Sequence, residues 1–280
     1  MAVRIRFPNQ ADFNCPRQLV VEAEAGGCSV IDLSATSFVK PLGIALLHGL
    51  ITHIRNAGDE VEVKVSSDDV ATYLWRMNLH SPFAADGGVR FNPDIKHFTL
   101  SRWPKQLLEL TIVDVANDDE VVTAEEHTWS MIARGAPQYG ALRDPIRTAV
   151  VELISNVERH SGTGRASVIA QTHKDCVRIA VGDVGIGVRE SLERTGTHDL
   201  QGKSDHEVLR YATQPGITAS PGHGGMGLAT IADAIRLYGR AVHLASGRGV
   251  FSVFRGRESG ADGAFAVPGT IVEVAFERPP

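Results

Sequence analysis

The chain has 280 residues, room for one large domain or two ordinary ones, and its 43% hydrophobic and 22% charged content fits a soluble globular protein. Its 33 acidic and 28 basic residues leave a net charge of −5, which argues against a broad non-specific nucleic-acid surface but not against a local basic patch. No apolar run approaches the roughly 18–20 residues that span a bilayer, the N-terminus lacks a signal-peptide apolar region, and Cys15, Cys28 and Cys176, widely spaced and without CxxC or HExxH, suit reduced cytoplasmic thiols better than disulfides or zinc.

Taken in order, residues 1–90 read as a small α/β unit. Val3, Ile5 and Phe7 alternate as in a half-buried strand, and Val30 to Leu33 is a short apolar run of the buried-strand kind. Pro41 and Gly43 open a helix with Leu42, Leu46, Leu50 and Ile54 four apart, which stops at Asn56-Ala57-Gly58-Asp59. Val61, Val63 and Val65 alternate as another strand, and Asp68-Asp69 caps a second helix through Met77. Strands alternating with helices imply a sheet with helices packed on it. Residues 80–94, with Pro82, Gly87-Gly88, Asn92 and Pro93, suggest a linker.

Over roughly residues 1–80 this part resembles the STAS domain of bacterial anti-sigma-factor antagonists. The resemblance rests on Asp32-Leu33-Ser34-Ala35-Thr36-Ser37-Phe38, the Gly43 helix, and the Ala57-Gly58 turn and strand. In that family the loop entering the helix commonly carries a phosphoacceptor serine. Here the aligned residues are Lys40-Pro41-Leu42-Gly43, and Leu42 has no hydroxyl, so the usual switch is not available there. A unit that has lost its acceptor is expected to serve as a built-in docking or inhibitory element.

After the linker, Leu107 to Val115 reads as a strand and Ala124 to Arg134 as a helix with Trp129 on its apolar side. Asp144-Pro145 is a start signal for the next helix, with Ile146, Val150, Leu153 and Val157 apolar at helical spacing. Glu152, Asn156 and His160 fall four apart and form one polar ridge, a carboxylate, an amide and an imidazole that could serve a metal and a reacting water. The alternative is a solvated stripe on an amphipathic helix. Two strands follow, Ala166–Gln171 and Cys176–Val181, the second running into Gly182-Asp183-Val184-Gly185-Ile186-Gly187. An aspartate at a strand end, followed by alternating glycines, lets backbone approach a flat ligand while the carboxylate accepts from an exocyclic amine.

Residues 189–221 are long, polar and broken, with a short helical patch at Glu207–Ala212, and suit a lid. They end in Gly222-His223-Gly224-Gly225-Met226-Gly227-Leu228, where a helix over Leu228–Leu237 begins. Clustered N–H groups at such a start bind phosphate oxygens. The glycine spacing matches GxGxxG, but no strand precedes it and no acidic residue lies about 20 positions on, so a Rossmann site is rejected. Gly202-Lys203-Ser204 fails as a P-loop because Thr197 stands where glycine is required.

Together these segments resemble the GHKL ATPase superfamily of gyrase, the ninety-kilodalton heat-shock chaperone, histidine kinases, MutL and anti-sigma-factor kinases, closest in style to the last. Glu152 to Asn156 with His160 looks like its N box, Asp183 to Gly187 its DxGxG box, Gly222 to Leu228 its second glycine box, and Gly269-Thr270 with Ile271 to Val274 its final strand. The resemblance covers about residues 105–278. It implies a C-terminal Bergerat-fold α/β sandwich with a mixed sheet over residues 91–280, beside a smaller STAS-like α/β domain over residues 1–90.

The resemblance further implies ATP and Mg²⁺ as cofactors. Asp183 would read the adenine amine with Thr270 nearby, and Gly185 and Gly187 would permit close approach. Gly222, Gly224, Gly225, Met226, Gly227 and Leu228 would wrap the phosphates, and Asn156 would ligate Mg²⁺ through its oxygen. Glu152 would be the general base, for water or for a protein hydroxyl, or would only orient Asn156. The expected protein is a cytoplasmic Mg-ATP-binding regulator that hydrolyses ATP or phosphorylates a partner on Ser/Thr. The alternative is a non-catalytic ATP-gated interaction module. A protein partner is expected and a homodimer is left open; no membrane or nucleic-acid signal is read. A sensor histidine kinase is not expected, for want of a preceding phosphoaccepting helix pair, nor a DNA-topology ATPase, for want of a following transducer domain.

Overall fold

The computed structural model describes residues 2–25, 27–95, 107–217, 228, 229, 231 and 239–279. The first sheet takes β1 (Val3–Arg6), β3 (Val20–Ala23), β4 (Ser29–Asp32), β6 (Val61–Lys64) and β7 (Val89–Asn92) in the order β3-β1-β4-β6-β7. β3 pairs antiparallel to β1, and the other neighbours are parallel. Strand β2 (Gln10–Ala11) pairs with β5 (Phe38–Val39) beside it. The connecting helices are α1 (Cys15–Gln18), α2 (Pro41–Asn56) and α3 (Asp68–Arg76).

The second sheet is antiparallel throughout, in the order β11-β12-β10-β9-β8. Its strands are β8 (Leu107–Asp114), β9 (Arg165–Thr172), β10 (Cys176–Gly182), β11 (Gly239–Phe254) and β12 (Arg257–Glu277). Helices α4 (Asp118–Gly135) and α5 (Arg143–His160) join β8 to β9, and α6 (Gly187–Glu193) and α7 (Asp205–Ala212) follow β10. The protein is therefore of mixed α/β class.

The strands of the second sheet are apolar on both faces, and the period of two sends alternate residues into different cores. Val168, Val181 and Val272 pack with α4 and α5. Ile169, Ala180 and Ile271 pack on the other side with α2, in a core that runs on to Ile5, Ile31 and Val63 of the first sheet. Helix α2 lies between the two sheets. It is buried along nearly its whole circumference, from Leu42 and Ile44 to Leu50 and Ile51, as a helix apolar all round must be.

Several expected boundaries shift. Strand β7 falls inside the stretch read as a linker, with Val61 opposite Val89 and Val63 opposite Phe91. The glycines at 87 and 88 mark only the turn into it. Helix α3 is capped by Ser67, whose hydroxyl accepts from the Val70 N–H at 3.4 Å, rather than by Asp68. Helix α5 begins at Arg143, so Asp144 and Pro145 lie in its first turn and not at its cap. A 3-10 turn over Pro137–Leu142 feeds directly into it and makes a side-chain cap unnecessary. Strands β2, β3, β5 and β11 and helices α1 and α6 go beyond the elements that the sequence predicts. The final Gly-Thr strand is one part of a 21-residue β12 paired with β11 in a long hairpin. Of the helix expected over 228–237, residues 228, 229 and 231 are helical, and the remainder lies outside the described residues.

Candidate functional site

Asn156 and His160 sit on the last two turns of α5, on the face turned toward β10 and β12. Asp183 follows directly on β10. Its N–H donates to the Thr270 carbonyl at 2.9 Å, one step beyond the regular β10–β12 ladder. Its carboxylate Oδ1 accepts the Gly185 N–H at 2.7 Å, so the side chain closes its own turn. Ser161, just past α5, ties helix to loop: its N–H donates to the Val157 carbonyl at 3.0 Å, and its carbonyl accepts the Ile186 N–H at 2.9 Å.

That link requires backbone to pass close to backbone. A side chain on Gly185 would run into the Ser161 carbonyl. Gly187 stands at φ +78°, where an L side chain is strained, and a Cβ there would lie 2.8 Å from the Ser246 hydroxyl. The alternating glycines thus have a structural cause in this loop.

These residues enclose one cavity. Leu153, Val157, Val181, Leu192 and Val272 supply apolar wall, and Asn156, His160, Asp183 and Thr270 supply polar groups. Gly187 and Leu228 also line it. The structure so brings together Asn156, Asp183, Gly187, Leu228 and Thr270 from four separate stretches of chain. Gly185 is spent on the Ser161 contact and is not in the wall. Gly222, Gly224, Gly225, Met226 and Gly227 lie outside the described residues.

Glu152, one turn before Asn156, is not among the residues lining the cavity. Its carboxylate lies 3.6 Å from the Arg159 guanidinium, both side chains about one-third exposed. The expected ridge is real as helix geometry, but a rim ion pair takes up its first member.

Burial dominates the electrostatics of the cavity. Burial pushes the Asp183 carboxyl up to about 6, against the lowering effect of the N–H groups of Gly185 and Thr270. Burial, helped by neighbouring Arg159, lowers His160, which favours the neutral imidazole. The Asn156 side-chain nitrogen is buried and has no hydrogen-bond partner among the described residues. Such an orphan costs about 1–3 kcal/mol unless something fills the place.

Sequence reading missed Ser161 and Ser246, since a serine carries no local signal of its role. Ser246 lies on β11 opposite Thr270, beside a register shift. Among the described residues no three His, Cys, Asp or Glu side chains converge as a metal site, and no helix is long and apolar enough to cross a membrane. No family model matches the chain, and no curated protein matches it.

Proposed function

We propose that the cavity is an ATP site of the GHKL kind, on a Bergerat-type sandwich with a STAS-like unit at its back. The observation that carries this reading is the presence, in the wall of one cavity, of a desolvated carboxylate and an orphaned buried amide. Asp183 gains from a ligand that donates a hydrogen bond, such as an aminopurine, and the orphaned Asn156 N–H gains from a ligand acceptor. The residues fit the nucleoside half of ATP. Leu228, which is helical, follows the stretch that would be the phosphate loop.

With no carboxylate cluster among the described residues, Mg²⁺ would arrive with the nucleotide phosphates, and Asn156, its amide turned to present oxygen, would supply one hard ligand. The metal would supply charge neutralisation for phosphoryl transfer. Glu152 would take the proton from water or from a protein hydroxyl, once its contact to Arg159 opens. The neutral His160 would line the site without adding charge. Binding would order the lid and so present a changed surface to a protein partner.

The ion pair of Glu152 with Arg159 favours a second reading at one point, a nucleotide-gated interaction module without turnover. Calorimetric titration with Mg-ATP, joined to a phosphate-release assay, decides among these. Asp183→Asn should weaken binding by about tenfold or more, and omission of Mg²⁺ should weaken it less. Unchanged affinity in both rules out the site. Glu152→Ala should lower turnover by about 10²–10⁴-fold if the residue is the base; equal, near-zero rates with intact binding support the module.

A further inference from the structure

A second cavity, about 490 Å³ in volume, lies between α2 and the face of the second sheet turned away from α5. That size suits a small organic molecule. The buried part of its wall carries no charge: Ala45 and Gly49 come from α2, and Ala166, Ser167 and Gly182 from the sheet. Its exposed part, the mouth, holds Asn56, Asp114 and Arg165. Asp183 borders this cavity as well as the first, with its carboxylate turned to the Gly185 N–H.

The helix side of the cavity is not what packing asks for. Helix α2 is buried nearly all round, yet His48, Thr52 and Asn56 fall four apart along it as one polar stripe that lines the cavity. The His48 ring meets Phe83, 5.6 Å between centroids, and makes no hydrogen bond among the described residues. Burial lowers it to about 4, so at neutral pH the imidazole offers one donor and one acceptor. Gly49 has no crowding to explain it, since an added Cβ would stand at an ordinary 3.7 Å from Val184. A glycine in a helix interior is destabilising, and here its missing side chain leaves the cavity open.

At the mouth, Asp114 and Arg165 stand directly opposite each other on β8 and β9, so their side chains leave the same face of the sheet. They form no ion pair with each other, and Arg165 has no polar partner among the described residues. Asp114 gives one oxygen to the Ala116 N–H at 3.1 Å and keeps the other. A carboxylate and an unpaired guanidinium, side by side above an uncharged pocket, match a molecule with an ammonium, a carboxylate and an uncharged body. We propose that this cavity is a binding site for a free α-amino acid with an uncharged side chain. Arg165 takes the carboxylate, Asp114 takes the ammonium, and the side chain enters between α2 and the sheet. The site does not rest on the nucleotide reading of the first cavity.

The test is calorimetric titration of the full chain, without nucleotide, with L-glutamine, L-leucine, L-tyrosine and L-phenylalanine. At least one should bind saturably, and no saturable binding of any of them overturns the proposal. L-Lysine and L-glutamate would carry a charge into the pocket and should bind about tenfold or more weakly than the tightest of the four; equal binding overturns the placement of the side chain. The amine and the acid made by removing the carboxylate or the ammonium from that tightest ligand should each lose about tenfold or more. Arg165→Gln should weaken the amino acid by about tenfold and leave the amine unchanged, and Asp114→Asn should weaken the amino acid and leave the acid unchanged. Both residues are exposed, so neither substitution empties the core. A cavity that binds by shape alone would hold amino acid, amine and acid alike in all three proteins, and that result overturns the proposal. Loss of ATP binding with amino-acid binding intact removes only the nucleotide reading.

Discussion

At the scale of single residues, Asp183 carries a cost to the ligand-free fold. Its carboxyl stands at about 6 in the fold because burial disfavours the charge, against an ordinary value near 4 in an unfolded chain. A group with a raised folded value binds its proton more tightly when folded. It therefore destabilises the protein in full above about pH 6, and the penalty fades as pH falls from 6 toward 4. Asp183→Asn keeps an oxygen for the Gly185 N–H and removes the charge. The ligand-free variant should be more stable at pH 7 by roughly 1–3 kcal/mol, with the gap closing toward pH 4, in urea titrations at the two pH values. A variant less stable at pH 7 would show that the carboxylate is satisfied within the fold. Glu152, by contrast, is held at the surface by Arg159.

At the scale of elements, α2 shows how a helix is held by residues far from it. Its N-cap position is Lys40, which makes no side-chain cap. The cap comes from β12: the Glu273 carboxylate accepts the Leu42 N–H at 3.1 Å and the Arg178 guanidinium at 2.6 Å, with Glu273 only 1% exposed. A carboxylate at a helix N-terminus is stabilised by the free N–H groups and the helix dipole. Burial raises the Glu273 carboxyl while Arg178 and the Leu42 N–H lower it. Removing one partner of such a buried pair leaves an uncompensated charge. Glu273→Ala should cost about 3–5 kcal/mol by denaturant titration, and Glu273→Gln less, because it still caps Leu42. Equal losses would assign the whole effect to the charge. Leu42 itself is thus 1% exposed and docked on the second sheet.

At the scale of the whole molecule, α2 makes one core out of two sheets. Ile169, Ala180 and Ile271 rest on it from one side and Ile31 and Val63 from the other, and Tyr73 of α3 donates to Gln171 of β9 at 3.0 Å. Deleting residues 1–90 therefore strips an apolar face rather than detaching a loose regulator. The fragment should aggregate or bind a hydrophobic dye strongly in place of giving a clean readout of inhibition; a soluble, cooperatively unfolding fragment with unchanged nucleotide binding would show that the second sheet stands without α2. The same layering reaches the loop after β10. Gly49 of α2 lies against Val184, with ordinary van der Waals spacing for an added methyl group at 3.7 Å, so the helix backs the loop that carries Asp183.

The sequence by itself determined what is local. The apolar period placed α5 and its polar ridge, the alternation of Val61, Val63 and Val65 placed β6, and the glycines after β10 marked the turn that carries Asp183. Such signals lie within a few residues of one another and survive without the rest of the chain. Tertiary structure alone decided the partners. The carboxylate that caps α2 comes from 231 residues away, the serine that holds the Val188 N–H from 58. The leucines of α2, four apart, gave one buried face, but only the two sheets made both faces buried, because burial depends on what packs against a helix and not on its own pattern.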